Sequence, residues 1–295
     1  MPLVAEIPRQ YAWIWYGHLS YCDPNGAIVQ FVRNVIQENV KDITLSIPSS
    51  DGISDLLLPE CRHVLDPTSL PLGSCVVGVI ATRNVSDPRI VLLPLDDESF
   101  QTGVEAAVCR RVVLPPWESR KAQVFWRGQC SGGLFPTLRY KVVEKIHTNP
   151  LANVRLIRDP CFPLQRMGDM NMNDDAMFSD RCPLEEHMQF KYTLIIDGAL
   201  IASSHQWMFA SGCVPLMVSH PNNDYWFKRY LKPGVHYVPV NYDLSDLEDK
   251  LAWLVANDDA AKEIADNAMN FARTILSAEF QQQHLRSEIE RAVNV

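Results

Sequence analysis

The sequence predicts an α/β fold built from open, mostly parallel sheets. Two observations carry this. Short β-branched and apolar runs alternate with amphipathic helical stretches along the chain. The length of 295 residues, with 47% hydrophobic and 21% charged residues, suits one large or two medium globular domains.

The elements follow in order. Ile28, Phe31, Val32, Val35 and Ile36 share one face of a helix, which feeds a strand at Ile43 to Ile47. Further strands are expected at Cys75 to Ala81, Ile90 to Leu93, Val124 to Trp126, Val154 to Ile157, Leu194 to Ile196 and Val214 to Val218. Helices are expected at Thr137 to Ile146 and Gln206 to Ser211. A Pro-Gly turn at Pro233-Gly234 introduces a β-branched and aromatic run, Val235 to Val240. Ser245 and Glu248 have capping-box spacing. Leu244, Leu247, Leu251, Leu254 and Val255 then make one apolar face. A second helix starts near Asp258, with Ile264, Phe271 and Ile275 inward. The last helix, Ala278 to Ala292, is polar and Gln-rich.

Pro115-Pro116 marks a boundary. The expected division is 1–115 and 116–276, with 277–295 packing back across the first part. The segment Cys161 to Met188 has five methionines and many Asp and Asn without a period. It reads as a loop or lid, or as a flexible acceptor surface.

Composition excludes several classes. A net charge of −8 argues against a broad phosphate-binding surface, so no nucleic-acid partner is expected. The eight cysteines include no C-x-x-C pair, which argues against zinc. The start, MPLVAEIPRQYAWIWYG, lacks a basic stretch followed by an apolar core. No apolar run reaches membrane-spanning length, so no membrane span and a reducing, cytoplasmic compartment are expected. The Asn84-Val-Ser sequon then reads as accidental. No two aspartates are spaced Asp-x-Asp, so neither metal nor other cofactor is expected.

Three stretches could carry chemistry. In Val124-Phe-Trp-Arg-Gly-Gln-Cys-Ser-Gly-Gly133 a strand gives way to small residues and then a helix. Backbone N–H groups at such a turn point at an anion, and Arg127 adds a fork of donors. The glycine spacing fits neither a dinucleotide fingerprint nor a P-loop. In Lys191 to Gly212 a buried strand delivers Asp197-Gly198 to its carboxyl end, and a loop with Ser203, Ser204 and His205 opens a helix. In Ile43-Thr-Leu-Ser-Ile-Pro-Ser-Ser-Asp51 a carboxylate follows a strand, where a general base could sit. Asp55 is the alternative to Asp51. Ser20, Tyr21 and Asp96 are candidates for lining the same cleft, while Asp97 and Glu98 read as a solvated face.

The chain resembles glycosyltransferase family 90, which holds protein O-glucosyltransferases and capsule-associated xylosyltransferases. Leu231-Lys-Pro-Gly-Val-His-Tyr-Val-Pro-Val240 and Ala256-Asn-Asp-Asp-Ala-Ala261 carry the resemblance, together with Phe125-Trp-Arg-Gly128. It implies a GT-B type fold, two Rossmann-like domains facing across a cleft. It implies an inverting, metal-independent transferase moving a sugar from a UDP-sugar to a glycan or glycoprotein hydroxyl. Arg127, Gly128, Ser131 and Gly132 would hold the diphosphate. Asp197, Gly198, Ser203, Ser204 and His205 would line the donor pocket, and Asp51 would be the base. A family arginine has its place at Ser204 or His205 here, so one permanent cation is missing from the pattern. Xylose is the favoured sugar and glucose the next, because the compact architecture resembles members from large algal viruses. The rival readings are a non-catalytic nucleotide-sugar or glycan-binding protein on the same fold and an α/β phosphotransferase.

Overall fold

The computed structural model describes residues 12–16, 26–39, 75–79, 81–82, 90–131, 136–158, 175–198, 201–202 and 204–293. Two parallel sheets organise these residues. In the first half β1 (Ala12–Tyr16), β2 (Cys75–Val79) and β4 (Ile90–Leu92) pair in the order β1-β2-β4, all parallel. Helix α1 (Ala27–Asn39) belongs to this half, and α2 (Asp97–Thr102) and α3 (Val104–Cys109) follow β4.

The second half carries six strands: β5 (Lys121–Gly128), β6 (Ala152–Ile157), β7 (Phe178–Ser179), β8 (Phe190–Ile196), β9 (Val214–Val218) and β11 (Val238–Pro239). Their order is β11-β9-β8-β5-β6-β7, again all parallel. The connections are α4 (Leu138–Ile146), α5 (Leu184–His187) and α6 (Ser204–Phe209). The α/β, GT-B type class is therefore the expected one. Central strand β8 is buried on both faces, as strands covered by helices must be.

This order fixes where a ligand can bind. The chain lays down β5, β6 and β7 in one direction, then returns to β8 and continues the other way. The switch lies between β5 and β8. There the two following loops diverge and leave a crevice at the carboxyl ends of the strands.

Two elements tie the halves together. The short β3 (Ala81–Thr82) pairs antiparallel with β10 (Asp224–Tyr225). The last helix, α9 (Ala278–Val293), packs against α1, α2 and β4 of the first half. Gln281 Nε2 donates to the Ser99 carbonyl at 2.9 Å, and Arg286 meets Glu38 at 2.5 Å.

The carboxyl-terminal region differs locally from its sequence reading. Helix α7 spans Leu247–Ala256 and starts after Asp246, with no capping bond from Ser245. Asp243 instead accepts from both the backbone N–H and the hydroxyl of Ser245, an Asx turn that competes with the capping box. Leu244 is buried at 4% exposure but has φ 63°, so it reaches the core from a left-handed turn outside the helix. The run from Val235 shortens to β11, and Val235 is 40% exposed. Helix α8 (Asp258–Thr274) buries Ile264 and Phe271 as its period requires. The expected strand Ile43 to Ile47 lies outside the described residues. Among the described residues, no helix is long and apolar enough to cross a membrane.

Candidate functional site

The loop after β5 begins at Gly128. A Cβ there would overlap the Trp126 indole, which is buried and folds across the strand end. Glycine is thus required by close packing. The turn is held by Cys130, whose thiol lies 3.4 Å from the Thr137 hydroxyl. Burial raises that thiol's pKa, so it is a packed, inert group. Thr137 also caps α4, accepting from Tyr140 N–H at 3.2 Å.

The cation at this turn is Arg139, in the first turn of α4. Its Nη1 donates to the Ser131 hydroxyl at 2.9 Å and to the Gln129 carbonyl at 3.3 Å. Its Nη2 reaches across the switch point to the loop after β8: a Cβ on Gly198 would lie 3.2 Å from it. The side chain is only 9% exposed, and its Nε has no partner. Burial pulls the guanidinium down to about 10, against the opposing pull of Asp197, so it remains a cation at neutral pH. Sequence reasoning missed this residue. The available signal was a lone arginine in a helix first turn that contains no acid. The helix dipole disfavours a cation there unless an anion joins it.

Arg127, expected to hold the diphosphate, is not brought to this group. Its guanidinium folds back along β5 over the Phe125 ring, 4.3 Å from the centroid. Nη1 donates to the carbonyls of Trp126 and Asn153, and Nη2 to Asn153 Oδ1, at 2.8–2.9 Å. Asn153 pairs with Phe125 in the ladder, three rows back from the carboxyl end.

Asp197 directly follows β8 inside a cage of donors. Oδ1 accepts from His205 Nε2 at 3.0 Å. Oδ2 accepts from Ser219 Oγ, His220 N–H and Asn223 Nδ2 at 2.7–2.9 Å. All acceptor capacity faces the protein. His205 is 0% exposed, and its Nδ1 accepts from Ala202 N–H at 3.1 Å. Its two ring nitrogens thus tie Ala202, ahead of α6, to Asp197. The buried cation beside Gly198 is Arg139. Ser204 begins α6 and is partly exposed.

Asp96 is also claimed by the fold. Its carboxylate accepts from Ser99 N–H at 2.8 Å and Ser99 Oγ at 2.7 Å, capping α2. Asp97 is not merely solvated: it accepts from Ile28 N–H at 2.8 Å, capping α1 from a distance of 69 residues. Glu98 pairs with Arg111 and lies 4.0 Å from Arg110 at the surface. Next to them, Ser99 Oγ lies 3.4 Å from Gln206 Oε1 of α6. The carboxyl end of the first sheet thus meets the helix that leaves the crevice of the second. Asp51, Asp55, Ser20, Tyr21, Gly132 and Ser203 lie outside the described residues.

A parallel sheet with a glycine turn and a buried arginine at its switch point has the crevice in which open α/β sheets bind ligands. The model of glycosyl transferase family 90 matches residues 104–286, and the chain belongs to that family. A protein called 179R of Invertebrate iridescent virus 6 is 42% identical over 80% of this chain and 21% of its own length. Rat protein O-glucosyltransferase 3 is 31% identical over 93% of this chain and 54% of its own. The chain thus spans about a fifth of one relative and half of the other. Among solved structures, Anabaena HepE in complex with UDP-glucose superposes with a TM-score of 0.48 at 8% identity, covering 96% of this chain and 100% of HepE.

Proposed function

We propose that the chain transfers a sugar from a UDP-sugar to a hydroxyl of a glycan or glycoprotein acceptor. The observation that carries this reading is Arg139, a nearly buried cation with a partnerless Nε, set between the Ser131 turn and Gly198 at the switch point. An anion fits there, and a diphosphate spans the two loops. As the glycosidic bond breaks, negative charge grows on the leaving diphosphate. Arg139, the Ser131 hydroxyl and the first-turn N–H groups of α4 would stabilise it without a metal ion.

The base would be Asp51, with Asp55 the alternative. It would take the proton from the acceptor hydroxyl while that oxygen attacks the anomeric carbon from the face opposite the diphosphate, inverting the centre. The first half, 1–115, would hold the acceptor, and 116–276 the donor. The names of the O-glucosyltransferase relatives favour glucose as the sugar, with xylose the alternative.

The test is UDP release from UDP-glucose and UDP-xylose with and without acceptor. Acceptor-dependent release that collapses in Asp51→Asn supports the reading. UDP binding without turnover would leave a non-catalytic nucleotide-sugar protein. No stabilisation by UDP in a thermal shift would sink the donor assignment.

A further inference from the structure

A second cavity lies at the opposite, amino-terminal edge of the six-stranded sheet. Its volume is about 370 Å³, within the range of small-molecule pockets. It is bounded by the Pro115-Pro116 linker, the single turn carrying Trp117, Gly212 ahead of β9, and the Ala265 and Met269 face of α8.

Its inner side holds Arg120, only 7% exposed. Nε donates to the Pro115 carbonyl at 3.0 Å, and Nη1 to the Ser211 carbonyl at 3.1 Å, with Cys213 Sγ at 3.5 Å. Every one of these partners is neutral. Among the described residues no carboxylate pairs with this guanidinium. A buried cation ordinarily has a compensating anion. Nη2 remains, and it lies over Gly212, where a Cβ would sit 2.7 Å from it. Gly212 also has φ +69°, so glycine is required there both by conformation and by the approach of the guanidinium.

The cations at the mouth already have acids. Lys262 pairs with Asp266 and Arg273 with Glu105, each at 2.7 Å, and exposed Glu118 adds a further carboxylate. The unmatched charge is the deep one. We propose that this cavity binds a small organic oxyanion, a carboxylate or phosphate ester, on Nη2 of Arg120. Leu114, Pro115 and Met269 would hold its apolar body.

The test uses ¹⁵N-labelled full chain and the Trp117 indole N–H signal, assigned by its loss in Trp117→Phe. Benzoate, phenyl phosphate and neutral benzamide are titrated in turn. Saturable shifts with either anion and none with benzamide are expected, and the stronger anion tells carboxylate from phosphate. Glu118→Gln should tighten binding and Lys262→Gln weaken it, each about threefold for one mouth charge at partly screened distance. Arg120→Met should abolish it. If that variant does not fold, the two mouth variants decide. No saturable shift with either anion, equal shifts with benzamide, or midpoints unmoved by both mouth variants would overturn the proposal.

Discussion

Arg139 and Ser131 are joined by a 2.9 Å hydrogen bond that closes the turn after β5 around a buried cation. Arg127 lies closer to the turn in sequence but spends its donors on Trp126 and Asn153. The two arginines therefore predict different losses. Charge-assisted bonds to phosphate contribute about 1.5–3 kcal/mol each, so Arg139→Met should weaken UDP binding roughly 10- to 100-fold. Arg127→Met should weaken it by less than about threefold, since its partners lie within the sheet. Calorimetric titration with UDP reads both. The reverse ranking would return the diphosphate to Arg127.

The Asp197 cage predicts a stability effect. Four donors converge on this carboxylate. Asp197→Asn keeps the shape but turns an NH₂ group toward one set of donors. Leaving buried donors unsatisfied costs about 1–3 kcal/mol each, partly relieved by rearrangement, so a loss on the order of 3 kcal/mol is expected. Urea denaturation measures it, and a loss under about 0.5 kcal/mol would mean the cage is not formed. His205→Ala should speed hydrogen exchange at the Ala202 N–H, which loses its acceptor, ahead of the amides of β8.

His187 makes stability pH-dependent. It is buried beside Phe125 and Trp207, with ring centroids 4.7 and 5.2 Å away. Burial, aided by the nearby Arg127 charge, lowers its pKa to about 4. Below an ordinary value near 6.5 the unfolded chain takes up a proton that the folded chain refuses until about pH 4. The contribution is complete above pH 6.5 and is lost as pH falls through the window to 4. The gap corresponds to a loss on the order of 3 kcal/mol across it. His187→Phe keeps the aromatic packing and should flatten this part of the stability curve. An unchanged slope in the variant would assign the loss to other groups.

The fold was readable because its signals are local. The β-branched runs of β8 and β9 and the apolar period of α8 depend only on burial. The glycine at 128 was readable as a turn, though its cause, the Trp126 ring, is a packing event. Side-chain direction was not readable. Whether Arg127 points off the strand end or back along it depends on Asn153, 26 residues away. The engagement of His205 Nδ1 depends on a single backbone N–H at Ala202. A sequence can nominate a charged residue for a site, but competing partners decide whether it is free to serve there.

Asp96 shows the same competition and gives the last prediction. It was a candidate for the sugar or acceptor cleft, yet both of its oxygens are held by Ser99. An N-cap bond of this kind contributes about 1 kcal/mol, so Asp96→Ala should lower stability by that amount. Asp96→Ser, which restores a capping oxygen, should recover most of it. Neither change should alter the KM for acceptor, because the carboxylate faces its own helix. Ser99 also touches Gln206 of α6 across the two halves. If Asp96→Ser restored stability while acceptor KM still rose several-fold, the carboxylate would have to be reassigned to the acceptor.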